Sequence, residues 1–264
     1  MANGPVYIIT PEVSEKTGTE CFGSSTAAGT LASNLLKMQP TDIWRSNTTA
    51  PSYVDIDLGD SYEVACAALL FTNLDVGNVW YVKAGGTQGA ALYDSGNMTF
   101  TAFFDSANTP RRHLIHIPAT PQTYRWWRIG TTSTVAAALT AGNFILGSVW
   151  RPATMFGGMA WGGDVAGEIV TTDGGNLIPT APWREMAPDI TLTLLSVTKA
   201  EHEEKIYRLM RLRKARKPVL IARDLSDANY TQQSVIYGLI TDMTQIEAEN
   251  LNLWRVRVTV RGMI

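Results

Sequence analysis

The chain has 264 residues, enough for one large domain or two ordinary ones, because single hydrophobic cores stop growing at roughly 250 to 300 residues. Its 45% hydrophobic and 17% charged residues are typical of a folded globular protein and exclude a disordered chain. The formal net charge of -2 provides no overall field that would attract DNA, RNA or an anionic membrane, so no specific nucleic-acid binding is expected.

The sequence shows no targeting or membrane-spanning segment. Its first residues, Met1 to Pro5, lack the basic segment and apolar run of a secretory signal peptide. No stretch approaches the roughly 20 apolar residues that span a bilayer, so membrane insertion is not expected. Cys21 and Cys66 are too few for a disulfide framework, and two reduced thiols are expected in a chain made in the cytoplasm.

The first half of the chain predicts short strands separated by turn clusters. The strands are expected at Val6 to Ile9, Tyr53 to Leu58, Ala67 to Thr72, Val79 to Lys83, His113 to Ile117, Tyr124 to Ile129 and Phe144 to Val149. A short helical turn is expected around Thr30 to Leu36. Many short strands without a convincing helix between them favour a β-sandwich.

The strand from Tyr53 to Leu58 alternates apolar and acidic residues. Its apolar residues are therefore expected to face the core, with Asp55 and Asp57 on the solvent face. Asp55, Asp57 and Asp60 also carry the oxygen ligands that calcium prefers. A solvent face followed by a turn residue is the preferred interpretation, so no metal site is predicted here.

A change of composition between Arg151 and Asp173 predicts a domain boundary. The stretch "RPATMFGGMAWGGDVAGEIVTTD" is dense in glycine, and the strand pattern lapses within it. It lacks the Gly-Lys-Ser/Thr ending of a phosphate-binding loop. The boundary is expected near Pro152, which gives predicted domains at residues 1–152 and 153–264.

The second half contains the clearest local signal, a helix start. After a strand at Ile190 to Val197, the sequence Thr198-Lys199-Ala200-Glu201 is a capping box, and the helix is expected to run to Lys217, before Pro218. Ile206, Leu209 and Met210 form a narrow apolar stripe that should lie on a sheet.

Three further strands are expected at Val219 to Arg223, Val235 to Met243 and Leu253 to Val260. The last strand alternates strictly. Its apolar face is expected to carry Trp254, Val256, Val258 and Val260, and its other face Arg255, Arg257, Thr259 and Arg261. The arginine face is expected to be solvated, or paired with Asp242, Glu247, Glu249 or a neighbouring subunit, and not to bind nucleic acid.

Residues that carry catalysis or bind metal are scarce. The histidines are His113, His116 and His202. His113 and His116 are three apart in a predicted strand, so their rings point to opposite faces, and zinc needs three or four converging ligands. No nucleophile motif accompanies them. No catalytic residue, cofactor or metal site is predicted, and the protein is not expected to be an enzyme.

Aromatic residues are frequent in the first half. In "TYRWWRIG", alternation places Trp126 and Trp127 on opposite faces, so one of the two is expected in the core. Trp44 lies in a predicted loop beside Arg45. Core packing and contact with a glycan or protein partner are both open interpretations of Trp44, and Trp44 with Arg45 is the candidate contact site.

The first half resembles the discoidin-like, galactose-binding-like family. The resemblance rests on "NLLKMQPTDIWRSN" followed by "YVDIDLG", then "ALLFTNL", "LYDSG", "RWWRIG" and "AGNFILGSVW". In that family a Trp-Arg-Ser segment precedes a strand ending in Asp-Leu-Gly, and a Tyr/Trp-Arg-Ile strand follows near the end. The resemblance implies a discoidin-like β-sandwich, or jelly roll, at residues 1–152. No sugar-contacting residue of the family can be matched.

The second half resembles tail-tube-like and distal-tail (baseplate hub) proteins of long-tailed bacteriophages. The resemblance rests on "ITLTLLSVTKAEHEEKIYRLMRLRKARKPVLIARD", then "IYGLITDM" and the closing hydrophobic strand. It implies a ring-forming β domain with one major helix at residues 153–264. Arg208, Arg211 and Lys214 are the candidate ring interface.

Together the two resemblances imply a mainly β structural protein of a virion. The main hypothesis is a phage tail-tip protein, made in the host cytoplasm, whose homo-oligomeric ring, a hexamer, joins the tail tube to the baseplate hub proteins. The alternative hypothesis is a carbohydrate-binding module that recognises host surface glycan.

Overall fold

The computed structural model describes residues 6–75, 77–99, 112–152, 156–162, 169–171, 177–179, 189–213, 216–223, 235–248 and 253–263. All structural statements below concern these residues. The chain is mainly β, as the sequence predicts. No helix among the described residues is long and apolar enough to cross a membrane.

The strands follow one another through the chain, and most lie where the sequence places them. They are β1 Val6–Thr10, β2 Glu20–Gly23, β3 Trp44–Arg45, β4 Tyr53–Val64, β5 Cys66–Thr72, β6 Val79–Gly85, β7 Tyr93–Asp94, β8 Met98–Thr99, β9 Arg112–His116, β10 Gln122–Thr131, β11 Thr140–Ala141, β12 Asn143–Trp150, β13 Phe156–Gly162, β14 Ile169–Thr171, β15 Leu177–Pro179, β16 Asp189–Thr198, β17 Val219–Arg223, β18 Val235–Ala248 and β19 Leu253–Gly262. A 3-10 turn at Ala32–Leu36 matches the predicted helical turn.

The chain forms two compact units. The first comprises Gly4–Arg151 together with Val219–Val235, and the second comprises Pro152–Pro218 together with Ile236–Ile264. The predicted domains are contiguous and place Val219–Val235 in the second domain, whereas the structure assigns this segment to the first unit. The reason is a long-range pairing that no local pattern signals, because β17 lies antiparallel to β1 in the first unit.

The first unit is a β-sandwich, which confirms the predicted fold class. One sheet is six-stranded, in the order β2-β4-β10-β6-β7 with β8 also on β6. The other has the order β17-β1-β12-β5-β9, and its neighbouring strands are antiparallel. Buried apolar residues of both sheets form one core cluster, including Ile56, Val82, Trp127, Leu69 and Leu146. Alternation along each strand places these side chains on the two sheet faces that meet in the core.

The second unit contains an antiparallel sheet in the order β13-β16-β19-β18. Its strands alternate as the sequence predicts: Val256, Val258 and Val260 are buried, whereas Arg255 and Arg257 are exposed. A hairpin of β14 and β15 also belongs to this unit.

The single main helix of the described chain, α1, follows β16 directly. It consists of the consecutive segments Lys199–Glu201, His202–Ile206 and Tyr207–Leu212, and the middle segment is a π-helical turn. The predicted capping box is confirmed. The Thr198 hydroxyl accepts the Glu201 N–H at 3.2 Å, and the Glu201 carboxylate accepts the Thr198 N–H at 3.2 Å.

The helix ends at Leu212, earlier than the predicted Lys217. Arg213 is 4% exposed, and its carbonyl accepts the N–H groups of Arg216 and Lys217 in a turn. Helix propensity and charge placement extend past this point in the sequence, but the N–H groups of Arg216 and Lys217 close a turn on Arg213. The C-terminal boundary expected from Pro218 is therefore wrong by about one turn.

The helix contacts the sheet of the second unit through its apolar stripe and one histidine. Ile206 and Leu209 are buried. His202 stacks on Trp254 with ring centroids 4.1 Å apart, and its Nε2 lies 2.7 Å from Oε1 of Gln245. The Gln245 amide also contacts the Met210 sulfur. These contacts confirm that the stripe lies on the sheet.

Candidate functional site

The candidate contact residues Trp44 and Arg45 lie in the short strand β3, which pairs with β11. Trp44 is 0% exposed and belongs to the core of the sandwich, where its Nε1 donates to Oγ1 of Thr26 at 3.2 Å. Of the two interpretations left open for Trp44, the structure therefore selects core packing. A ring without exposed surface has no face to offer a glycan, so this part of the candidate site is corrected.

Arg45 keeps an exposed side chain, and its backbone organises the neighbouring loop. Its carbonyl accepts the Ala27 N–H at 2.8 Å and the Thr30 hydroxyl at 3.3 Å. Arg45 thus remains a predicted glycan contact at one loop of the sandwich.

A second polar region, which the sequence did not suggest as a site, lies on the face of the six-stranded sheet opposite the core. We call this face the outer sheet face. Residues that pair directly across antiparallel strands share a face. Phe22 pairs with Asp55, Asp55 with Arg128, and Arg128 with Lys83. The alternation that buries Val54 and Ile56 thus gathers charged and aromatic side chains on the opposite side.

Asp55 is buried on the outer sheet face, contrary to the predicted solvent exposure. It is 1% exposed and accepts Arg128 Nε at 2.6 Å and Nη2 at 2.7 Å. The Gln88 amide donates to its second oxygen at 3.1 Å. The guanidinium of Arg128 also lies 3.6 Å from the centroid of the Tyr53 ring. A buried carboxylate needs such partners, because an unpaired buried charge is strongly unfavourable.

Arg125 lies at an irregularity in the pairing of β10 with β4. The register with β4 shifts between Tyr124 and Trp126: Arg125 alone separates these two residues on β10, whereas residues 58–61 separate their partners Tyr62 and Asp57 on β4, so β4 carries the bulge opposite Arg125. Tyr124 packs against the core, and Trp127 is in it. Simple alternation predicts Arg125 on the side of Trp127. The register shift instead brings Arg125 to Asp57, which pairs with Trp126 across the strands, so Arg125 and Trp126 lie together on the outer sheet face.

Asp57 binds the displaced arginine. Its two oxygens accept Arg125 Nε at 2.6 Å and Nη2 at 2.7 Å, and the Gly59 N–H donates to it at 2.9 Å. The hydrogen bonds from Arg125 lower the pKa of Asp57, and the one from Gly59 acts in the same direction, against the effect of burial. Asp57 is 8% exposed, so its predicted solvent exposure is also corrected.

Two aromatic rings cover this part of the sheet. Phe22 is 40% exposed and Trp126 is half-buried, with ring centroids 5.9 Å apart and planes inclined by 30°. The Arg125 guanidinium lies 5.9 Å from the Trp126 ring centroid. The region therefore combines two accessible apolar ring surfaces with fixed hydrogen-bond donors.

The histidines and cysteines of the described chain are placed as structural residues. His113 is buried, which lowers its pKa to about 4, and its Nδ1 accepts the Phe71 N–H at 3.3 Å. His116 Nε2 lies 2.5 Å from the Tyr93 hydroxyl. Burial raises the pKa of both free thiols, Cys21 and Cys66. No group of three or more residues able to hold a metal occurs in the part of the chain that the structure describes.

The candidate ring interface lies on helix α1. Arg208 and Arg211 are exposed there, whereas Lys214 lies outside the described residues. Tyr207 and Leu212, which are 57% and 49% exposed, flank the two arginines. The acidic residues Glu203 and Glu204 are exposed near the other end of the helix.

On the arginine face of β19, Arg261 is 3.8 Å from Asp189, while Arg255 and Arg257 are exposed. Asp242 is exposed nearby on β18, and Glu249 lies outside the described residues. The expectation that this face does not bind nucleic acid stays a prediction.

No protein-family model matches the sequence, and no curated protein matches it. Among solved structures, the family 32 carbohydrate-binding module of Clostridium perfringens NanJ, in complex with galactose, is 12% identical with a TM-score of 0.41, covering 55% of this chain and 99% of that one. A mutant lectin-binding domain of lectinolysin, in complex with Lewis b, is 16% identical with a TM-score of 0.38, covering 53% of this chain and 97% of that one. A fucose-binding module of Streptococcus pneumoniae is 12% identical with a TM-score of 0.37, covering 50% of this chain and 94% of that one.

Proposed function

We propose that the first unit is a carbohydrate-binding module. The observation that supports this most directly is where the galactose-binding-like motifs lie in the sandwich. The Trp-Arg-Ser segment begins in β3, Asp-Leu-Gly lies within β4, and Arg-Ile-Gly lies within β10 beside β4. All three motifs therefore lie in strands of the first unit, in the order along the chain that the family resemblance implies.

The role proposed for this unit is binding without chemical conversion. The described histidines are occupied in structural contacts, His113 with the Phe71 backbone and His116 with Tyr93. General acid–base catalysis needs such groups to face a substrate. The proposed site instead works by stacking and hydrogen bonding.

A glycan array probed with the full chain, followed by calorimetric titration, tests the proposal. The full chain is required because β17, which pairs with β1, lies far from residues 1–152 in the sequence. A millimolar dissociation constant corresponds to only about 4 kcal/mol, so weak binding is measurable. Glycan binding by the folded chain and not by the heat-unfolded chain is expected. Absence of binding to every neutral and acidic glycan at millimolar concentration would contradict it.

A second candidate function is a structural component of a phage tail tip, located in the virion. It is favoured by the second unit, in which a capped helix follows β16 and lies on a sheet with β18 and β19, as the distal-tail resemblance implies. One end of the exposed helix surface is acidic and the other is basic. This polarity suits a head-to-tail contact between subunits of a homo-oligomeric ring, proposed to be a hexamer, that joins the tail tube to baseplate hub proteins.

Light scattering of the full chain and of a double variant tests this second function. We expect a ring for the native chain and its loss when Arg208 and Arg211 are both changed to glutamate, because like charges would then meet. Arg45→Glu, an exposed arginine of the first unit, is the matched control and should leave the ring intact. A monomeric native chain at high concentration would refute the ring.

A further inference from the structure

We propose that Phe22, Trp126 and Arg125 form a saccharide-binding tract on the outer sheet face, whose ligand is an uncharged pyranose. This inference rests on the proposed carbohydrate-binding function and assigns its site to the sheet face instead of the Arg45 loop.

The two rings supply the apolar contact. Phe22 and Trp126 are on strands β2 and β10, on either side of β4, and both incline over it to within 5.9 Å of each other. The core lies on the opposite face of the sheet, so neither ring is needed to fill it. Aromatic faces of this kind stack on apolar ring surfaces, and the C–H face of a pyranose is such a surface.

Arg125 supplies directed hydrogen-bond donors beside the rings. Asp57 takes one N–H group of Nε and one of Nη2, which leaves three N–H groups, two on Nη1 and one on Nη2, for other acceptors. The Arg125 side chain is 44% exposed. Because the bulge places Arg125 and Trp126 on the same face, one ligand can stack on the ring and accept from the guanidinium.

The tract is held in place before any ligand arrives. Asp57 fixes the Arg125 fork in two hydrogen bonds and is itself fixed by the Gly59 N–H. A side chain that is already ordered loses little conformational entropy on binding. Asp57 is thus a positioning residue for Arg125.

The charges of the face indicate an uncharged ligand. Arg125 is paired with Asp57, Arg128 with Asp55, and Lys83 with Asp94 at 3.2 Å. Glu20, which is exposed, pairs across the strands with Asp57 and adds negative charge next to the rings. No cation of this set is left to balance a ligand carboxylate, so acidic sugars are disfavoured. Hydroxyl groups, which accept from Nη1 without bringing charge, fit the face.

The experiment compares variants of the full chain by titration with methyl galactopyranoside, methyl glucopyranoside, methyl glucuronide and the neutral oligosaccharide that binds most strongly on the array. Trp126→Ala and Phe22→Ala are each expected to weaken the neutral ligand about tenfold or more. Arg125→Lys should weaken binding of the neutral ligand by a smaller factor. A lysine ammonium lacks the planar set of donors with which Arg125 can bind Asp57 and the ligand at the same time. The affinity for the neutral ligand should not change with salt concentration, because an uncharged ligand forms no ion pair with the protein.

Two matched controls locate the site. Tyr207→Ala removes an exposed aromatic ring from helix α1, and Arg45→Ala removes the exposed arginine of β3. Both variants are expected to bind the neutral ligand as the native chain does. Trp126→Ala and Phe22→Ala should still unfold cooperatively with only a small loss of stability, because both rings lie on the face of the sheet opposite the core.

Loss of binding in Arg45→Ala together with native binding in Trp126→Ala would overturn the tract but leave the carbohydrate-binding function standing. Preference for methyl glucuronide, weakened by salt, would overturn the uncharged ligand and likewise leave that function standing. Absence of any glycan binding by the native chain would overturn both proposals.

Discussion

The burial of Asp55 decides how the outer sheet face is built. A carboxylate that is 1% exposed is stable only with close partners, and Asp55 has a two-bond contact with Arg128 and a third bond from Gln88. Arg128 and Gln88 are thereby fixed against the sheet. Asp57 and Arg125 repeat the arrangement with more solvent exposure.

Removing the Asp55 charge should destabilise the sandwich. Asp55→Asn is expected to lower the free energy of unfolding by about 2 to 4 kcal/mol, since it leaves Arg128 without its anion while Arg128 keeps some contact with water. The matched control is Asp42→Asn, which breaks the exposed Lys37–Asp42 pair and should cost about 1 kcal/mol or less. Urea unfolding measures both, and equal losses would contradict the assignment.

His113 gives the sandwich a pH dependence. Burial lowers its pKa to about 4, whereas an unfolded histidine has a pKa near 6.5. Between these values the unfolded state binds the proton and the folded state does not, so the free energy of unfolding falls as the pH falls from about 6.5 toward 4. The stability that neutral His113 contributes is fully present above pH 6.5. By about pH 4 the free energy of unfolding has fallen by roughly 3 kcal/mol.

The measurement is the difference in unfolding free energy between the native chain and His113→Gln, in which the amide oxygen can accept the Phe71 N–H. Contributions of other groups, including His116, cancel in this difference. We expect the native advantage to shrink from pH 7 to pH 4. A difference that is constant across this range would show that His113 titrates normally in the folded state.

At the scale of elements, helix α1 depends on both a local sequence motif, which starts the helix, and tertiary contacts, which hold it on the sheet. The capping box sets the first turn, and the stack of His202 on Trp254 and the burial of Ile206 fix the helix on the sheet. The helix ends at Leu212, before the turn at Arg213, and the sequence pattern does not reveal this end.

Thr198→Ala should therefore lower stability by about 1 kcal/mol, because the Glu201 N–H loses its acceptor. Thr198→Ser keeps the hydroxyl and should restore most of the loss. Thr17→Ala, at an exposed turn position, controls for the threonine methyl and should change little. Thermal unfolding with hydrogen exchange over α1 measures the effect, and equal protection of the helix in Thr198→Ala and the native chain would contradict it.

At the scale of the whole molecule, the chain returns to the first unit after leaving it. Strand β17 pairs with β1 through Ile8 and Ile221, and Leu220, Ile221 and Ala222 are each 0% exposed. A fragment of residues 1–152 lacks these residues and exposes the edge of β1. Open apolar edges of this kind associate with other chains.

We expect the fragment of residues 1–152 to unfold at a lower temperature than the first unit of the full chain and to self-associate. A fragment in which residues 216–235 follow residue 152 through a flexible Gly/Ser linker should regain stability, since the missing strand is supplied. The same fragment with a scrambled 216–235 segment is the control. Equal stability of all three fragments would show that β17 is dispensable.

The sequence by itself determined the elements whose residues satisfy a local rule. Strands such as β4 and β19 contain alternating apolar and polar residues, and the Thr198–Glu201 capping box is a contiguous motif, so their positions follow from nearest-neighbour geometry. The same patterns predicted a mainly β chain with a sandwich and one main helix. The short strand β2 was not predicted, because its residues carry no distinctive alternation.

Tertiary structure decided whatever depends on residues far apart in the chain. A bulge in β4 shifts its register against β10 by three residues between Tyr124 and Trp126, which brings Arg125 to Asp57, and the alternation of neither strand reveals it. Trp44 has the sequence context of a loop, yet its burial depends on core residues contributed by both sheets. The place of β17 depends on a pairing with β1 across more than half of the chain. Local sequence sets backbone conformation and side-chain face, whereas burial and ion pairing are properties of the assembled sheets.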